Sequence, residues 1–68
     1  MKPHIERAVK EKEELDEKRV KLNIFLTSDD YADLPNRQRL LLVKQANCME
    51  TYSDILGKRI ELMKSEAE

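Results

Sequence analysis

Thr27-Ser28-Asp29-Asp30-Tyr31-Ala32-Asp33-Leu34-Pro35 is the stretch that decides the fold, because it is the only connection in the chain. On its N-terminal side nothing from His4 to Leu26 breaks a helix, and Pro3 is tolerated in a first helical turn. On its C-terminal side the chain runs unbroken from Asn36 to about Ser65, apart from Gly57. Ser28 with Asp29 and Asp30 reads as a capped single turn, with Tyr31 and Leu34 placed to close the end. Pro35 favours an extended Leu34 and suits the start of a helix. Two long helices on so short a connection lie antiparallel. The expected architecture is all-α: one domain over residues 1–68, an antiparallel two-helix hairpin that assembles into a helical-bundle homo-oligomer. Its helices are expected at about 3–26 and 36–65, with the acidic tail Ser65-Glu66-Ala67-Glu68 frayed.

Composition narrows the choices in the same direction. The 68 residues are 40% hydrophobic and 40% charged, with one Gly and two Pro, too few turn formers for a many-stranded sheet. A chain this short rarely stabilises itself with a private core, so it needs a disulfide, a metal or a partner. One Cys excludes an internal disulfide, and one His far from that Cys argues against structural zinc. Self-association is what remains, as a dimer or tetramer.

Charge and motifs bound the function. Thirteen basic against fourteen acidic residues give a net charge of −1, without the basic block of a duplex DNA binder. The longest apolar run, Leu40-Leu41-Leu42-Val43, is far short of the ~20 residues that span a bilayer. Met1-Lys2-Pro3-His4-Ile5-Glu6-Arg7 has no hydrophobic segment and does not read as a signal peptide, so an intracellular protein is expected. There is no Gly-rich phosphate loop, metal-ligand spacing or nucleophile elbow. Asp29, Asp30 and Asp33 lack the glycine and terminal Glu of a calcium loop. The expectation is a binding protein with no catalytic residues, metal or cofactor.

Both helices carry apolar periodicity. Ile5, Ala8, Leu15, Leu22 and Leu26 follow a 3-4-7 pattern, and Glu14–Lys18 and Glu17–Lys21 are expected as i, i+4 pairs. The second helix carries two adjacent columns, Leu41, Cys48, Ile55, Leu62 and Leu42, Met49, Leu56, Met63. Val43, Ala46 and Ile60 widen the surface further. One partner helix cannot cover that width, so the hairpin is expected to pack on others. Cys48 reads as a core thiol, His4 as a surface residue. Gly57 reads as either a kink or a close approach between subunits.

A third column, Gln38, Gln45, Tyr52 and Arg59, runs between the apolar ones. Read alone, it places polar groups in the middle of an apolar stripe, where an unpaired charge costs several kcal/mol. Two readings follow. The column can fix register and oligomer state, with Arg59 snorkelling or pairing with a carboxylate of the first helix. Alternatively it lines a ligand pocket between helices. The amides of Gln38 and Gln45 then suit a base or ribose, Tyr52 a stacking face, and Arg59 and Lys18 phosphate groups.

His4-Ile5-Glu6-Arg7, Glu11-Lys12, Glu14 to Lys18 and Lys21-Leu22 resemble the start of a family of small phage proteins first annotated from crAss-like phages. Leu34-Pro35, Gln38, Leu41, Gln45, Met49 and Tyr52-Ser53-Asp54-Ile55-Leu56-Gly57-Lys58-Arg59-Ile60 carry the likeness further, to about residues 3–62 in all. The resemblance implies a phage origin and action in the host cytoplasm. It also implies an anti-defence sponge that binds, without cleaving, a nucleotide-derived immune signal such as an ADP-ribose-derived messenger from TIR enzymes or a cyclic nucleotide. Arg7, Glu11, Lys18, Gln38, Gln45, Tyr52 and Arg59 match that family's pattern and are the expected ligand-binding residues. The alternative is a coiled-coil adaptor that docks on a protein and binds no small molecule.

Overall fold

A computed structural model describes residues 2–67. Among them every regular element is a helix: α1 Pro3–Leu26, α2 Asp29–Ala32 and α3 Asn36–Ala67. α1 opens on Pro3, whose missing N–H costs nothing in a first turn. It closes at Thr27, whose hydroxyl donates to the Ile24 carbonyl at 2.8 Å. α2 is one turn inside the connection. Ser28 caps it by accepting from the Tyr31 N–H at 3.1 Å while its own hydroxyl donates to the Phe25 carbonyl at 2.6 Å. The edge-on contact of Phe25 with Tyr31, at 6.2 Å between centroids, and the Tyr31 hydroxyl on the Arg39 carbonyl tie the turn to both long helices. α3 continues to Ala67, beyond the end expected near Ser65; Glu68, the last residue of the tail expected to fray, lies outside the described residues.

α1 and α3 pack on each other in opposite directions. Lys12 and Asp16 reach Ser53, while Leu22 and Leu26 share a cleft with Val43 and Ala46. The molecule measures 50 × 15 × 13 Å, and its radius of gyration is 15.4 Å. A compact chain of this length has about 11 Å, so there is one seam between two rods and no globular interior.

That seam has 3-4 spacing on both helices. From α1 it buries Ile5, Ala8 and Leu15; from α3 it buries Ser53, Leu56 and Ile60, with Leu42, Met49 and Met63 half-buried. The other apolar column of α3 stays outside. Leu41 is 59%, Ile55 50% and Leu62 60% exposed, and Cys48 is exposed as well. Within the single chain Cys48 is thus in solvent, because α1 covers the neighbouring column; the core thiol expected from its column would need a second copy there. Gly57 is ordinary helix with no positive φ, and its close neighbour is Lys12 of the same chain.

Candidate functional site

The seven residues expected to bind ligand are all exposed. Gln38, Gln45, Tyr52 and Arg59 do not lie in the middle of a covered stripe. The seam against α1 runs one residue to their C-terminal side, which turns the polar column to its flank. Tyr52 is 41% exposed. Among the described residues Arg59 has no ion pair, so the expected pairing with a carboxylate of α1 is not made.

Helical spacing nevertheless gathers these residues on one side. A cleft between the helices is lined by Asn23 of α1 and by Val43 and Glu50 of α3, which marks one side of the pair. At 3.6 residues per turn, Glu11 and Lys18 occupy the opposite flank of α1, with Arg7 slightly further round. Gln38, Gln45, Tyr52 and Arg59 occupy the opposite flank of α3. In an antiparallel pair those two flanks share a side. Lys12 and Asp16 both meet Ser53, which sets the levels along the axis. Glu11 then falls between Tyr52 and Arg59, and Lys18 between Gln45 and Tyr52. The result is an open strip with three cations, the carboxylates of Glu11 and Glu14, two amides and a phenol, beside the uncovered column of Leu41, Cys48, Ile55 and Leu62.

A second polar group lies at the edge of the seam, and the sequence reading missed it. Lys12 Nζ donates to Asp16 Oδ2 at 2.8 Å and to Ser53 Oγ at 2.9 Å. The Ser53 hydroxyl donates to Asp16 Oδ1 at 2.6 Å, and Arg19 Nη1 donates to the same oxygen at 3.0 Å. Lys12 first, then Ser53, hold the Asp16 carboxyl well below the ordinary carboxylate range; Arg19 adds to this against the desolvation that raises it. These are the ion pairs among the described residues, in place of the expected Glu14–Lys18 and Glu17–Lys21 pairs. Asp16 stands beside the seam, where Lys12, Ser53 and Arg19 converge on it, whereas Glu14, Glu17, Lys18 and Lys21 are all exposed. The signal was available: Lys12 and Arg19 continue the 3-4 spacing of Ile5, Ala8, Leu15, Leu22 and Leu26, and Ser53 continues that of Met49 and Leu56.

The third feature is the cleft itself, of about 150 Å³. Leu22, Leu26 and Ala46 form its floor, and Arg19, Asn23, Asn47 and Glu50 its rim. It opens where Ala46 puts a small side chain into the seam. No group of three or more His, Cys, Asp or Glu side chains among the described residues is placed to hold a metal ion. No helix among the described residues is long and apolar enough to cross a membrane.

These features define a small helical protein with polar groups displayed along two packed rods. The chain matches the Sequestin family over residues 2–62 and belongs to it. The family's name denotes sequestration, and a sequestering function is the coarse assignment it carries. No curated protein matches the chain. No solved structure matches it either.

Proposed function

We propose that this protein sequesters a nucleotide-derived immune signal at an interface between copies of itself, as a phage anti-defence protein in the host cytoplasm. One observation carries the reading. The strip of Arg7, Glu11, Lys18, Gln38, Gln45, Tyr52 and Arg59 runs beside an apolar column that its own chain leaves uncovered. Cations and a phenol on an open surface suit phosphate and a base or sugar, and membership of the Sequestin family supports a sequestering role. The strip is open, whereas small-molecule pockets of ~300–1,000 Å³ have walls on most sides. A second copy, packed on Leu41, Ile55 and Leu62, supplies the missing wall. Ligand that binds only the assembled state then stabilises it, by about 2.7 kcal/mol per site at ~100 times the dissociation constant. Such an inhibitor works by stoichiometry, without cleaving its ligand.

The same uncovered column also favours the adaptor reading, in which another protein's helix covers it. Incubation with TIR- or cyclase-generated messengers, removal of unbound material and heat denaturation separate the two. Intact messenger released from wild type and none from Arg59→Ala, at unchanged helicity, supports the sponge. Degraded messenger identifies an enzyme. No retained messenger, with Arg59→Ala altering assembly or partner binding, identifies the adaptor.

A further inference from the structure

We propose that the cleft between α1 and α3 is a second binding site, for an uncharged planar heterocycle of the nucleobase class, separate from the strip that carries Tyr52 and Arg59. Its floor is apolar: Leu22, Leu26 and Ala46 present carbon to a space of about 150 Å³, the size of one ring system rather than a whole nucleotide. Its rim offers two amides, Asn23 and Asn47, each with a donor and an acceptor that match the edge of a base.

Charge separates the two sites. Rim residues Arg19 and Glu50 are of opposite sign, and Arg19 is already bound to Asp16 at 3.0 Å. Lys12 shares Asp16 with Arg19, and Glu50 on the rim offsets the positive charge left over, so the cleft presents no net positive charge to attract phosphate. The opposite strip carries Arg7, Lys18 and Arg59 against Glu11 and Glu14, and so keeps a net positive charge. A flat, neutral ring covers the apolar floor, pairs with the amides and makes no demand for a cation. The choice of a nucleobase over other neutral rings rests on the sequestration reading above; the cleft's preference for a neutral ring over an anion does not.

Titration of the isotope-labelled full chain with adenosine, which has the ring without the phosphates, tests this by amide NMR. Saturable shifts are expected at the side-chain amides of Asn23 and Asn47 and at the backbone of Val43 and Ala46. The double variant Asn23→Ala/Asn47→Ala should weaken adenosine at least tenfold, while Arg59→Ala leaves it within twofold. Because the shifts are mapped on wild type, a variant that folds poorly leaves the test intact. Adenosine that shifts nothing, or shifts the Tyr52 side instead, overturns the proposal. So do cleft shifts that follow protein concentration rather than adenosine, which mark the cleft as a contact between copies. ADP-ribose run in parallel separates this from the sequestration reading. ADP-ribose retained through Arg59 with no adenosine in the cleft sinks the cleft alone. Adenosine in the cleft with no messenger retained sinks sequestration alone.

Discussion

α3 carries two apolar columns that are nearly the same by composition and opposite in fate. Leu42, Met49, Leu56 and Met63 lie against α1, with Leu56 fully buried. Leu41, Cys48, Ile55 and Leu62 sit one residue earlier and remain in solvent, with Leu62 at 60% exposure. Each column repeats every seven residues, so each alone could serve as the seam of a coiled coil. The difference is made by the other helix. α1 turns one apolar column toward α3, with Lys12 and Arg19 inside its 3-4 spacing and Val20 and Ile24 outside it, and that column covers one column of α3. Lys12 and Asp16 meet Ser53, which belongs with the inner column, and that polar layer selects which of the two is covered.

The largest effect expected from this contrast is between adjacent residues. Leu56→Ala removes a fully buried side chain and should cost about 2–5 kcal/mol, enough to unfold so small a chain in mild urea. Ile55→Ala, on a side chain half in solvent, should change the folding of the single chain by no more than ~0.5 kcal/mol. Its effect belongs to assembly: sedimentation at micromolar concentration should show a weaker oligomer. Equal loss of fold in both variants would mean that the outer column is covered in every folded molecule, and that folding and assembly are one event.

Cys48 and Met49 report the same contrast without a large perturbation. Cys48 is exposed, so iodoacetamide should modify it at the rate of a free thiol in dilute protein. Raising the protein concentration, or adding the retained ligand, should slow that reaction by tenfold or more if a second copy covers the column. An unchanged rate at every concentration would leave the outer column open and favour a partner other than this chain.

How much of this was legible in sequence depends on what each feature needs. Helical content needs only the lack of breakers between His4 and Leu26 and between Asn36 and the tail, which any reader of the chain can see. Apolar columns need only spacing. The choice between columns needs three-dimensional pairing. On spacing alone the polar column lay between two apolar ones and looked covered, whereas α1 reaches only the column of Leu42 and Leu56. The exposure of Cys48 within the chain follows from the same pairing. The Lys12–Asp16–Ser53 layer was missed because charge at a core spacing reads as an interruption unless its partner across the seam is known. Arg7, Glu11 and Lys18 share a side with Tyr52 and Arg59 through antiparallel geometry that no linear pattern displays.

That polar layer yields the next effect in size, and it depends on pH. Asp16 has its pKa lowered in the folded state, chiefly by the hydrogen bond from Lys12 and then by that from Ser53. Its contribution to stability is therefore complete above the ordinary value near 3.8 and is lost as pH falls below it toward the lower folded value. Asp16→Asn should cost about 1–2 kcal/mol at pH 7, toward the lower end because its side chain is 38% exposed and screened. Urea midpoints of wild type and variant should draw together as pH falls from about 4 toward about 2, while both fall as other carboxylates titrate. A difference that stays constant across that range would show that the layer acts through shape and neutral hydrogen bonds, so that charge plays no part in choosing the inner column.

The smallest effect concerns how tightly the inner column is packed, and Gly57 measures it. Gly57 has ordinary helical backbone, so nothing in its conformation demands glycine. In a helix interior Gly costs about 1 kcal/mol against Ala, through backbone entropy. A Cβ added there meets the Lys12 Cε at 3.4 Å, the near limit of ordinary van der Waals contact. The contacted atom is near the end of a flexible side chain, which favours accommodation. Against that, Lys12 Nζ is held by Asp16 at 2.8 Å and Ser53 at 2.9 Å, so the stem cannot move far without stretching the layer. A contact at this limit needs no movement larger than a few tenths of an ångström. Helix propensity should therefore win, and Gly57→Ala should stabilise the chain by about 0.5–1 kcal/mol. That corresponds to a rise in Tm of roughly 2–8 °C for a chain of this size, read by thermal denaturation followed by circular dichroism. A fall in Tm would mean that Lys12 cannot yield. Gly57 would then be there to let Lys12 cross to Ser53, and the polar layer would hold the two helices more rigidly than its exposed charges suggest.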